Sequence, residues 1–153
     1  MSIAQAQDRR EVRAACEFTR YQFRQVTIAG HPAVSHVMYP GSPDSPQAAL
    51  AAKQMRNGGS IVSFDLKGGS RAGERLMNYF ARKDTPMELA VSLGSAISYI
   101  QHPASMTHAG VPEMERLARG ITPGLIRLSV GLEGAEVLVE HLDRGLRGPV
   151  RVR

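Results

Sequence analysis

Apolar and polar positions alternate most clearly between Leu125 and Glu133, where Ile126, Leu128 and Val130 fall on one face and Leu125, Arg127 and Ser129 on the other. A period of two predicts a half-buried strand. Shorter apolar runs predict three more strands, at Val34 to Tyr39, Ile61 to Leu66 and Leu89 to Leu93. Helical stretches separate them. Asp8 to about Val26 favours helix, with Val12, Ala15, Cys16, Phe18 and Tyr21 as an imperfect stripe, and Asp8 and Glu11 spaced as a reciprocal cap. Ser45-Pro46 supplies an N-cap and a first-turn proline for a helix that Asn57-Gly58-Gly59 ends. Ser70 caps a third helix through about Ala81, with Gly73, Leu76, Met77 and Phe80 at core spacing. Pro112 opens a short helix that Gly120 terminates. A last one, from about Gly134, places Ala135, Leu138, Val139, Leu142 and Leu146 on one face. The segment from Leu93 to Met106 is expected to be irregular, because Pro103 interrupts any regular continuation.

Four strands among helices predict an α/β (α+β) sandwich, one four-stranded sheet layered by helices. The pattern alone does not decide parallel from antiparallel pairing. Arg127 is the anomaly in it. A guanidinium between apolar neighbours on a short strand is always charged, and its planar fork of donors matches a carboxylate. The plain alternative is an arginine that reaches the rim and pairs with a surface acid.

The 153 residues suit a single domain and core. With 5% aromatic residues and no Trp, that core is expected to be aliphatic. The net charge of +5 raises nucleic-acid binding, but the basic residues are spread along the chain, with local groups at Arg9-Arg10-Arg13 and Arg144 to Arg153, and no aromatics are interleaved. A solvated surface is the better expectation. Cys16, the lone cysteine, excludes an internal disulfide framework and reads as a small packing residue. There is no apolar secretory run and no stretch of transmembrane length, so a cytoplasmic protein without a membrane partner is expected. His102 and His108 lack the helix-face spacing of a metal site, and Lys67-Gly68-Gly69 lacks the Walker pattern.

Several ordered blocks go further. Tyr39-Pro40-Gly41, Phe64-Asp65-Leu66-Lys67-Gly68-Gly69, Val91-Ser92-Leu93-Gly94, Gln101-His102-Pro103-Ala104-Ser105-Met106-Thr107-His108, Gly120-Ile121-Thr122 and the Arg127 strand span about Gly30 to Leu146. Together they closely resemble the C-terminal domain of the Cys/Met-metabolism family of pyridoxal-phosphate (PLP) enzymes. That family includes methionine gamma-lyase, cystathionine gamma-lyase and gamma-synthase, and the O-acylhomoserine sulfhydrylases. The resemblance implies a mainly antiparallel sheet, residues 1–28 as an N-terminal connecting helix, 29–148 as the small domain and 149–153 as a basic tail. It also implies that Ser92 and Arg127 hold the α-carboxylate of an amino-acid substrate, with Leu93 beside Ser92, and that Thr107 contributes to the active-site wall. His108 in the same block reads instead as part of a loop held by local hydrogen bonds.

The apolar Val91 resembles the lyase and sulfhydrylase branch, methionine gamma-lyase above all, whereas Ser95 and Ile97 depart from the usual residues there. In the resembled enzymes the cofactor is held by a lysine in a Ser-x-Thr-Lys-like context, in a large domain that precedes this one. Lys53, Lys67 and Lys83 stand in other contexts. The resemblance therefore implies a carboxylate-binding domain of a parent enzyme carrying out γ-elimination or γ-replacement on methionine or an O-acylhomoserine. Such a domain would have no catalytic residue, PLP or activity of its own, would need a PLP-binding large domain as partner, and is expected to form homo-oligomers. Two alternatives remain: a non-catalytic oligomerisation or interaction module that keeps the fold and, below it, a basic nucleic-acid-binding domain.

Overall fold

The computed structural model describes residues 28–148. The helix expected over Asp8 to Val26 and the basic tail at 149–153 lie outside the described residues. Five strands and four helices follow one another: β1 (Val34–Met38), α1 (Ala48–Gln54), β2 (Ile61–Leu66), α2 (Gly69–Phe80), β3 (Met87–Leu89), β4 (Ser98–Gln101), α3 (Glu113–Ala118), β5 (Leu125–Ser129) and α4 (Ala135–Arg147). They build one sheet of order β1-β2-β5-β4-β3. Neighbours pair antiparallel except β3 and β4, which run parallel.

The expected four-stranded, mainly antiparallel sheet is therefore corrected to a five-stranded mixed one. The strand that pattern reading missed is β4, within the stretch expected to be irregular. Its four residues show no alternation, because Ser98, Ile100 and Gln101 are all buried and two of them are polar. Pro103 follows the strand and costs it no ladder bond. β3 lies at Met87–Leu89 rather than Leu89 to Leu93, because the chain leaves the sheet at Ala90 to begin its return.

One face of the sheet is covered. Val62, Phe64 and Leu66 on β2, Ile100 on β4, and Ile126 and Leu128 on β5 meet Leu76, Met77 and Phe80 of α2 and Leu138 and Leu142 of α4 in one core. The helices also touch each other: a Cβ added at Gly145 would lie 2.8 Å from Leu76 and 3.0 Å from Tyr79. The predicted apolar stripes of both helices are the faces that the core buries. His102 follows β4 and is itself buried. Nε2–H donates to the Pro123 carbonyl at 2.8 Å, and Nδ1 accepts from the Ser105 hydroxyl at 2.8 Å, so this histidine staples two loops together. Gly73 of α2 makes room for its ring, since a Cβ there would meet the imidazole at 2.6 to 2.9 Å.

The parallel pair β3 and β4 requires the chain to travel back along the sheet, a task usually given to a crossover of a dozen or more residues. Here residues 90–97 do it by lying across the other face of the sheet, alongside β5. Ala90 N–H donates to Ile100 O (3.2 Å) at the start of this return, and Leu132 N–H to Ala96 O (2.8 Å) near its end. No helix among the described residues is long and apolar enough to cross a membrane.

Candidate functional site

The returning segment and the sheet face beneath it enclose Arg127. Strand register places Arg127 between Ser63 on β2 and Gln101 on β4, with Ser129 and Tyr99 in the next row. All point away from the helices, because they alternate with the core positions Val62, Phe64, Ile100, Ile126 and Leu128. Arg127 Nη2 donates to the carbonyls of Val91 and Ser92, both at 3.0 Å. With the Gln101 amide oriented oxygen-inward, its Oε1 accepts from Arg127 Nε at 3.1 Å and Nη1 at 3.2 Å. That orientation is the one a side chain only 2% exposed requires, because it leaves no donor facing a donor. Among the described residues, no carboxylate pairs with Arg127. Partial burial lowers its pKa from the ordinary arginine value.

These contacts use both Nη2 protons, the Nε proton and one Nη1 proton. Among the described residues one Nη1 N–H is left without a partner, on a partly buried cation beside the open face. A few kilocalories of charge-assisted hydrogen bonding are thus available to an anion reaching it.

Ser92, Leu93, Val91 and Gly94 are exposed at the outer edge of the return. Ser92 meets Arg127 through its carbonyl. Gly94 adopts φ 76°, and its N–H donates to the Ser129 hydroxyl at 3.2 Å, which pins the middle of the turn to β5. The far end is fixed by Ser98: its N–H and hydroxyl donate to the two Glu133 oxygens at 2.8 and 2.7 Å, and its oxygen accepts from Gly131 N–H at 2.8 Å. Ser92 and Arg127 are brought together. Thr107 is not joined to them; it is exposed, and its hydroxyl pairs with Nδ1 of neighbouring His108 at 2.8 Å. Its loop is held from within by Arg116, whose Nη1 donates to the carbonyls of Ala104, His108 and Val111 at 3.2 to 3.4 Å.

Gln101 and Ser129 were not among the residues singled out in the sequence. Ser129 carried a usable signal, because it shares the Arg127 face of a recognised strand. Gln101 carried none, since its place opposite Arg127 depends on the pairing of β4 with β5.

A two-layer domain, with helices on one face of a mixed sheet and an arginine under a strap on the other, is the class that fold and site define. Residues 25–147 match the family described as Cys/Met metabolism PLP-dependent enzyme, and the chain belongs to that family. It is similar to the L-methionine gamma-lyase of Porphyromonas gingivalis, 49% identical over 116 residues that cover 76% of this chain and 28% of that protein. Among solved structures it is similar to a cystathionine gamma synthase from Xanthomonas oryzae pv. oryzae, with a TM-score of 0.77 at 38% identity over 88% of this chain and 33% of that one. A cystathionine gamma lyase from Micromonospora echinospora gives 0.75 at 40% identity, covering 92% of this chain and 34% of its own. The chain spans less than a third of the length of the curated relative and about a third of each solved structure.

Lys53 on α1, Lys67 after β2 and Lys83 after α2 are all exposed, and none bonds to Arg127 or the 90–97 return. Among the described residues, no group of three or more His, Cys, Asp or Glu is placed to hold a metal ion.

The return also carries apolar surface outward: Val91 is 54% exposed, Leu93 53% and Ile97 41%, next to Leu89 at the edge of the sheet. Contiguous patches of this kind favour association. The chain by itself is expected to self-associate in analytical ultracentrifugation, with a weight-average mass that rises with concentration, and Leu93→Asp is expected to reduce the effect. A concentration-independent monomer would count against it.

Proposed function

We propose that this chain is the substrate-carboxylate domain of a PLP-dependent enzyme acting on carbon–sulfur or related γ-bonds of amino acids, with methionine or an O-acylhomoserine as the substrate class. The observation that carries this reading is the Arg127 arrangement: a partly buried guanidinium with no carboxylate partner among the described residues, one N–H left over from its contacts with them, and Ser92 beside it on the open face. An incoming α-carboxylate takes the free Nη1 N–H. The second donor of a bidentate pair comes from Nη1 or Nε when Gln101 yields it. In this reading Ser92 and Leu93 line the approach, and Thr107 contributes to the active-site wall on the strength of the family resemblance and not of any contact with Arg127.

Holding the carboxylate fixes the orientation of the substrate's Cα–H, which is a positioning contribution rather than bond chemistry. When bound in the parent enzyme, PLP supplies the electron sink for the carbon acid and for the γ-bond. The large domain of the relatives is the partner this role requires, and homo-oligomerisation accords with the apolar strap. The competing reading, an interaction module that has kept the fold, predicts no response of Arg127 to amino acids.

The two are separated by following the Arg127 Nε–H resonance while L-methionine is added to this chain. A saturable shift with a Kd on the order of millimolar is expected, since one or two charge-assisted bonds supply only a few kilocalories. L-Methioninol, which lacks the carboxylate, is expected to give none. Equal responses to both compounds, or none to either, would remove the functional assignment.

A further inference from the structure

Among the described residues, every acceptor bonded to Arg127 is neutral: the carbonyls of Val91 and Ser92 and the amide oxygen of Gln101. The two carbonyls belong to the returning segment and both meet Nη2, so by themselves they fix one corner of the fork and leave its plane free to turn. Gln101 supplies the rest. Its oxygen accepts from Nε at 3.1 Å and from Nη1 at 3.2 Å, and with all three nitrogens held the guanidinium plane is set.

Gln101 is itself well held. It stands opposite Arg127 in the register of β4 and β5, and it is buried. Ile100 before it lies in the core, and His102 after it is tied to the Ser105 hydroxyl and the Pro123 carbonyl, each at 2.8 Å. A side chain so confined has little freedom left to lose when a ligand arrives, and the arginine it orients is directed beforehand. Its neutrality matters equally. A glutamate of the same length would accept from the same nitrogens more strongly, but it would neutralise the cation with a partner inside the domain.

We propose that Gln101 is the positioning residue of the carboxylate site: its amide oxygen sets the plane of the Arg127 fork before the substrate binds, and its lack of charge keeps the cation available to the α-carboxylate. This inference rests on the carboxylate reading of Arg127 and adds to it the requirement for a neutral acceptor at position 101.

Two substitutions separate the acceptor from the charge. Gln101→Met keeps the length and removes the acceptor; Gln101→Glu keeps the acceptor and adds a charge. Both are followed in the full chain by exchange of the Arg127 Nε–H with water and by titration with L-methionine and L-methioninol. In ligand-free Gln101→Met, exchange is expected to be roughly tenfold or more faster than in the parent chain, because the proton has lost its acceptor. L-Methionine is expected to bind it roughly twofold to tenfold more weakly, the cost of ordering one side chain. In Gln101→Glu exchange is expected to stay slow, while the preference for L-methionine over L-methioninol is lost. A residue that only packs β4 would lower the melting temperature in both variants and leave exchange and preference as they were, and that pattern would overturn the inference. Tighter L-methionine binding by Gln101→Met would overturn it too, since the amide would then compete with the substrate. A parent chain with no preference for L-methionine removes the carboxylate reading and this inference with it, whereas a parent preference that both variants retain removes this inference alone.

Discussion

Arg127→Lys, in an enzyme that joins this domain to the lysine-bearing large domain of a methionine gamma-lyase, is expected to weaken L-methionine binding by roughly tenfold to a hundredfold. The reasoning starts from geometry. An ammonium keeps the charge but has no planar fork, so it cannot serve two acceptors side by side. Losing a hydrogen bond to a charged group costs about 1.5–3 kcal/mol, which sets the range of the affinity change. The structure adds a complication absent from the strand pattern: the same guanidinium holds the Val91 and Ser92 carbonyls and the Gln101 amide. Lysine reaches at most part of that set, so a lower melting temperature is expected as well and does not by itself discriminate.

The discriminating quantity is the preference for L-methionine over L-methioninol. If Arg127 meets the carboxylate, the preference collapses in the lysine variant. If Arg127 only anchors the strap, both ligands weaken together and the ratio stays as it was. An unchanged ratio would sink the carboxylate assignment, whatever happens to stability.

Gly131→Ala is expected to destabilise the chain by about 3 kcal/mol or more, at the upper end for overpacking a tight site. A Cβ at Gly131 would lie 2.3 Å from Ala96 O, 2.6 Å from Ile97 C and 2.7 Å from Ser98 N, all backbone atoms of the returning segment and the start of β4. A flexible side chain would swing aside; a backbone that is paired on its other side cannot. Gly131 is not among the residues with positive φ, so the cost is contact and not conformation. Moving the strap would also stretch the Ser98 bonds to Glu133 and Gly131. The melting temperature should fall by roughly 10 °C. Gly110→Ala, where a Cβ meets nothing within 4 Å, is the control and should stay within about 0.5 kcal/mol of the parent. Equal melting temperatures for the two variants would contradict the close approach.

The Arg127 strand, the two long helices and their core faces were legible because each carries its own period, over five residues in the strand and 12 and 13 in the helices. Ile126 and Leu128, or Leu76, Met77 and Phe80, declare their side of an element without reference to anything distant. β4 could not declare itself. It is four residues long and buried on both faces, and Ser98 and Gln101 are polar because they serve partners some 26 to 35 positions away, Arg127, Gly131 and Glu133. The parallel pairing of β3 was hidden for a related reason: nothing in eight connecting residues signals a return across a sheet face.

By itself the sequence determined the helices and three of the five strands among the described residues, which of their faces seek a core, and, through its ordered blocks, the enzyme family to which the chain belongs. Ser92 and Arg127 could be named from those blocks, but not the way they meet. The tertiary structure alone decided that β4 sits between β3 and β5, that residues 90–97 cross the open face, and that Gln101 fixes the Arg127 fork from the neighbouring strand. Local periodicity is set by bonds between near neighbours in the chain. Strand order and register are set by burying apolar faces together and by pairing backbone groups far apart in sequence, and those choices leave no mark until the chain has closed on itself.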